Sequence, residues 1–224
     1  RYDTEIAEVD SSVGELLAHV EALDLRRELM TAFTSDHGES LGEHNYWGHG
    51  RHLYEPTLHV PMSLTWPGRL EPATISAPAL IVDLAPTIAS LLGLEVPPSF
   101  VGHDWTTAIR DDGEPPVDRL THYQAHKGAV ISNHDSDLAR RSRLPEVAVI
   151  QQGLKEIYRI RNGRHWKFDL AADPRELVNL IEAKSSPSER LQGLIQVVSA
   201  ALSDLDSDIP EPLDEESIER LRAL

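Results

Sequence analysis

An amphipathic helix that leads almost directly into a short uncharged run is the feature that most restricts this chain. Ile6, Val9, Val13, Leu16, Leu17, Val20 and Leu23 recur at helical spacing, with Asp3, Glu5, Glu8 and Asp10 between them. That pattern predicts a helix over roughly 3–23 that packs one face on a sheet. Leu29, Met30, Thr31, Ala32, Phe33 and Thr34 follow, β-branched and aromatic members among them, and the run stops at Ser35-Asp36-His37-Gly38. This reads as a buried strand ending in a polar turn. A helix followed by a buried strand is half of a parallel α/β unit, so an α/β class is expected.

The rest of the chain divides in two. His59 to Trp66 reads as a second strand closed by Pro67-Gly68, and Ile81 to Gly93 as a helix with Pro86 in its first turn and Gly93 as its C-terminal cap. From Arg110 to Val117 the run R-D-D-G-E-P-P-V reads as a linker or long turn. Beyond it, 129–131, 147–150, 156–160 and 165–170 are short strand-like pieces, with Asn162-Gly163 as a hairpin signal between the last two. Leu191, Leu194, Ile195, Val198 and Leu202 line one face of a later helix, an acidic loop covers 207–216, and a short helix closes at 218–224. The expected organisation is a part of a catalytic α/β domain over 1–115 and a small α+β subdomain with antiparallel strands over 116–224.

Composition narrows the function classes. The formal charge is −16, from 37 Asp+Glu against 21 Lys+Arg, which disfavours nucleic acid as a partner. No stretch approaches the roughly 20 apolar residues a bilayer crossing needs, so no membrane span is expected. With no cysteine, the chain holds no disulfide, no thiolate zinc site and no cysteine nucleophile.

Chemistry concentrates between Thr34 and Pro61, where five of the eleven histidines (His37, His44, His49, His52 and His59) fall within 23 positions. Asp36 and His37 sit where a strand ends, the place where α/β sheets gather ligands. A carboxylate beside an imidazole can share a divalent cation. The same residues also suit blander roles, since an Asp after a strand often caps a helix and loop histidines are mostly solvated. The spacing fits no H-E-x-x-H zinc helix.

The run T-S-D-H-G-E, then G-E-H, W-G-H-G, L-Y-E-P and H-V-P, resembles the sulfatase family of the alkaline phosphatase superfamily. Y-D-T-E-I-A-E-V-D-S-S-V-G-E-L-L at the start, I-V-D-L-A-P-T-I-A-S-L-L-G-L at Ile81 to Leu94, Val101 to Trp105, and F-D-L-A-A-D-P-R-E-L-V-N-L at Phe168 to Leu180 extend the resemblance in order along nearly the whole chain. It implies an alkaline-phosphatase-like, mixed or mostly parallel sheet sandwiched by helices. It implies metal-assisted hydrolysis of a small anionic sulfate ester, with Asp36 and His37 as metal ligands. Calcium is the implied ion, or manganese or zinc if the chemistry is of the phosphoryl type. Thirteen positions after Asp36 the family often places a lysine that contacts sulfate and leaving group; here His49 stands there. His49 is therefore the catalytic and substrate-binding candidate, as a donor to the departing oxygen.

The family's nucleophile is a formylglycine made within C/S-x-P-x-R, and no such motif occurs here. The resemblance therefore implies that the formylglycine and two further acidic ligands lie upstream of Arg1, that this chain is the later part of a longer enzyme, and that alone it is inactive. Phosphonate monoester or phosphodiester hydrolysis is the alternative, and a non-catalytic module of the same fold is a third. His44 is read as a loop-ordering residue rather than a ligand, Tyr54 and Glu55 as the start of a helix, and His52 and His59 as structural or exposed. Trp47 suits a leaving-group pocket and a core anchor equally. The cluster Arg140, Arg141 and Arg143 is read as solvated charge.

Overall fold

The structure, a computed structural model, describes residues 2–25, 29–110, 119–125, 145–181 and 185–207, with the side chains of 202–207 excepted. The strand expected at 129–131, the linker beyond Arg110, the arginine cluster and the chain after Ser207 lie outside the described residues. The chain forms two compact units, 1–37 with 59–118, and 38–58 with 119–224.

In the first unit the helix α1 (Tyr2–Ala22) forms where the periodicity puts it. It buries none of its residues: Ile6, Val9 and Leu16 are 52%, 60% and 63% exposed. Apolar spacing specifies a face, and no described neighbour covers this one. The strand β1 (Thr31–Thr34) is likewise half-exposed rather than buried. It pairs not with a parallel neighbour but antiparallel with a strand at Met62–Thr65, from Thr31 opposite Thr65 to Thr34 opposite Met62. A two-stranded ribbon has no inner position to bury a strand. All pairings among the described residues are antiparallel.

Asp83 organises the rest of this unit. A 3-10 turn at Ile81–Asp83 runs into a helix at Leu84–Leu91, with Pro86 in its first turn. The helix ends in a Schellman cap: Gly93, at φ 72°, donates its N–H to the Ser90 carbonyl, and Leu94 donates to Ala89. The buried Asp83 carboxylate accepts the N–H of Leu80 at 2.8 Å, that of His103 at 2.8 Å and the Trp105 indole N–H at 3.1 Å. Three donors satisfy a carboxylate that would otherwise be expensive to bury. Gly102 passes so close to this turn that a Cβ there would lie 2.0 Å from the Val82 carbonyl oxygen.

The second unit is built on a four-stranded antiparallel meander, Thr121–Ala125, Glu146–Gln151, Leu154–Arg159 and Arg164–Asp169, paired in chain order. Asn162-Gly163 makes the last turn as expected, Gly163 at φ 67°. Register puts Ala148 opposite Ile157 and Ile157 opposite Trp166, while Val147 lies opposite Tyr158. One face therefore carries Val147 and Val149, which pack on Leu191 and Val198 of a helix at Glu189–Ser207. The other carries Ala148, Ile157 and Phe168, which pack on Leu53 and Tyr54. Segment 38–58, early in the sequence, is thus a cover for a sheet made much later. Each large apolar side chain buried there contributes about 1.5–3 kcal/mol.

Candidate active site

Asp36 and His37 follow β1 directly. The Thr34 and Ser35 hydroxyls bind local carbonyls, Ser35 Oγ donating to that of His37 at 2.7 Å, so the turn closes on its own backbone. The Asp36 side chain is 87% exposed and that of His37 42% exposed, with Nε2 of His37 3.6 Å from Oδ2 of Asp36. The His37 N–H donates to Asp36 Oδ1 at 3.0 Å. Oxygen and nitrogen donors are thus presented side by side at a strand end.

The next residue, Gly38, enters the second unit. Its N–H donates to the Thr57 carbonyl at 3.0 Å, and a Cβ there would lie 2.1 Å from the backbone oxygen of Pro56. Two short strands, β2 (Ser40–Leu41) and β3 (Trp47–Gly48), then pair with Ser40 opposite Gly48. That register sets residues 39 and 49 facing each other just outside the pair, and Glu39 Oε2 lies 2.8 Å from His49 Nδ1. The Tyr46 hydroxyl donates to the His49 carbonyl at 2.8 Å and secures the far side of the hairpin.

Behind this hairpin, charged groups fasten 38–58 to the sheet. The Lys155 ammonium, fully buried, lies 2.9 Å from Glu55 and 2.8 Å from Glu176. The Glu55 N–H donates to Glu176 at 2.7 Å. Burial pushes the Glu176 carboxyl above its ordinary range, with Lys155 pulling it back down. A second carboxylate, Glu146, pairs with Arg159, accepts from the Leu53 N–H at 3.2 Å and lies 3.1 Å from His52 Nδ1. His44 stacks on Tyr54 with ring centroids 3.7 Å apart, and desolvation there holds its pKa down. His44 and His52 thus serve the loop's structure, and Glu55 opens a short helix, Glu55–Leu58. Trp47 is 67% exposed and anchors no core. His59 and His122 are exposed.

Sequence reasoning missed Glu39 as the partner of His49, and it missed Lys155, Glu176 and Glu146 as the loop's anchors. Glu39 stood in the motif already singled out. Glu176 stood in the quoted run at Phe168 to Leu180 without being singled out, and Lys155 and Glu146 carried no local signal, because a charged residue in a strand reads as solvent-facing until its partner, about a hundred residues away in the chain, is known.

Residues 1–94 match the sulfatase family model. Over this stretch the chain is similar to the sulfatase family. Among its relatives, the N-acetylglucosamine-6-O-sulfatase of Bacteroides thetaiotaomicron is 26% identical over 94% of this chain and 36% of its own length. A solved structure of a protein in complex with its substrate D-glucosamine-2-N,6-O-disulfate superposes with a TM-score of 0.65, at 24% identity over 93% of this chain and 41% of that one. The phosphonate monoester hydrolase of Agrobacterium radiobacter superposes at 0.60, with 22% identity over 90% of this chain and 40% of that one. These likenesses place the chain in the alkaline-phosphatase-like α/β fold. It spans about a third or less of the length of the curated relatives it matches.

Proposed function

We propose that these residues belong to a metal-dependent sulfate ester hydrolase in which Asp36 and His37 ligate the metal and His49 contacts the substrate. The reading is carried by the Asp36-His37 pair, a carboxylate and an imidazole left accessible at the end of β1. One hard oxygen and one nitrogen donor fit a divalent ion, with calcium the family expectation and manganese or zinc favoured by the imidazole. Such an ion, when bound, draws charge from a sulfate oxygen and lowers the barrier to attack at sulfur. The chain's own work is to hold the two ligand side chains at a fixed turn and to donate a hydrogen from His49 toward the ester. The nucleophile, a formylglycine in the family pattern, is supplied from outside these residues.

The accessible imidazole of His37 also supports the second reading, hydrolysis of a phosphonate monoester or phosphodiester with a transition metal. The discriminating experiment uses the full-length protein that carries these residues. After chelation and add-back of calcium, manganese or zinc, it is assayed on glucosamine 6-sulfate, an aryl sulfate and an aryl phosphonate monoester. Sulfate ester cleavage that chelation abolishes, with Asp36→Ala and His37→Ala reduced by about a hundredfold or more, is the expected outcome. Faster phosphonate cleavage would establish the second reading. Activity unaffected by either substitution would remove both residues from the site.

A further inference from the structure

We infer that Glu39 positions His49 as the proton donor to the leaving-group oxygen, and that the preferred substrates are sulfate esters of aliphatic alcohols, sugar hydroxyls included, rather than aryl sulfates. This rests on the reading of His49 as the substrate-contacting donor.

The geometry is that of a carboxylate–imidazole dyad. Glu39 Oε2 and His49 Nδ1 are 2.8 Å apart, with 25% and 39% of the two side chains exposed. A carboxylate oxygen accepts, so Nδ1 carries the shared hydrogen, and Nε2 is the nitrogen through which the ring exchanges a proton with a substrate. Both residues are held by the same hairpin: Glu39 immediately precedes β2, His49 immediately follows β3, and Ser40 opposite Gly48 fixes their separation. Gly48, at φ 116°, lets the chain turn where a Cβ would sit 3.4 Å from the Tyr46 hydroxyl and 3.6 Å from Glu39 Oε1. The Tyr46 hydroxyl ties down the His49 carbonyl. The ring is therefore set in tautomer and direction by groups on its own loop, the arrangement that makes a histidine an efficient proton donor.

A lysine in this place would act as a compact point charge on a flexible stem. The dyad instead delivers one proton along one line. As the bond from sulfur to the leaving oxygen breaks, its electron pair goes to that oxygen and the Nε2 proton follows it. The attacking hydroxyl oxygen of the nucleophile releases its proton to water and takes up the bond to sulfur. The ring is left neutral, its Nδ1 hydrogen still donated to Glu39, and Nε2 regains a proton from water. An alkoxide, being strongly basic, gains far more from that proton than a phenoxide does. The dyad is thus an investment that only a poor leaving group returns.

The test uses the full-length protein and compares kcat/KM for wild type, Glu39→Ala, Glu39→Gln and His49→Ala. The substrates are glucosamine 6-sulfate and a series of aryl sulfates of increasing leaving-group basicity. Glu39→Ala is expected to lower kcat on the sugar sulfate by about a hundredfold, the low end of a general acid's contribution, with KM little changed. Its loss on 4-nitrophenyl sulfate is expected to be slight, and its dependence on leaving-group basicity steeper than wild type. Glu39→Gln, whose amide oxygen still accepts from Nδ1, is expected to recover part of the loss, and Glu39→Ala in a His49→Ala background to cost nothing more. An equal loss on every ester, or none, in an active protein overturns the role of Glu39 and leaves the parent reading intact. A wild type that cleaves no sulfate ester overturns both.

Discussion

Lys155 is the residue on which the placement of the candidate loop turns. Its ammonium is buried between two carboxylates, and Glu176, itself buried, is already pushed toward its protonated form. Removing one partner from such a group is costly, about 3–5 kcal/mol. The sign with pH follows from linkage. A carboxyl whose pKa is raised in the folded state binds more protons folded than unfolded, so its contribution is most favourable below the ordinary value of 4.5. That contribution falls as pH climbs through the raised value. Lys155→Met deletes the opposing charge and should therefore destabilise more at pH 8 than at pH 5. Chemical denaturation at the two pH values measures this, and an equal loss at both would show that Glu176 is not the group responsible.

At the scale of elements, two glycines predict opposite signs for one substitution. Gly14 lies inside α1 with open space where a Cβ would go, so Gly14→Ala should stabilise by about 0.5–1 kcal/mol through helix propensity. At Gly38 the same methyl would meet the backbone oxygen of Pro56, which has no rotamer by which to give way. Gly38→Ala should lower the melting temperature and expose 38–58 to limited proteolysis; wild-type protection would mean the chain re-routes around Pro56. The elements themselves differ in how far local residues reveal them. Helix α1, the Schellman cap at Gly93 and the Asn162-Gly163 turn were legible because period, cap and turn are local. β2 and β3 were not, since two residues each are too few to show an alternation. The burial of β1 was misjudged for a different reason, because an uncharged run says nothing about what will cover it. At the candidate site, Asp36 and His37 stood out by residue type and His49 by its place in the family pattern, whereas Glu39 needed the hairpin register to become a partner.

For the whole molecule, a charge of −16 on 224 residues sets the response to salt. Raising ionic strength from about 0.01 M to about 0.15 M shortens the screening length from about 30 Å to about 8 Å. Repulsion among carboxylates is then screened, while the pairs at Lys155 and Arg159, being buried, are little affected. The melting temperature should rise across that range; a fall would mean that exposed ion pairs outweigh the net repulsion. The second unit also carries a consequence for synthesis. Glu55 finds Lys155 one hundred positions later, and its N–H finds Glu176 after a further interval, 121 positions on. At a translation rate of about 5–20 residues per second, the hairpin waits on the order of 5–20 s on the ribosome for the lysine that will seat it. Its histidines are decoded early, and during that interval they are within reach of chaperones, proteases and stray metal ions alike.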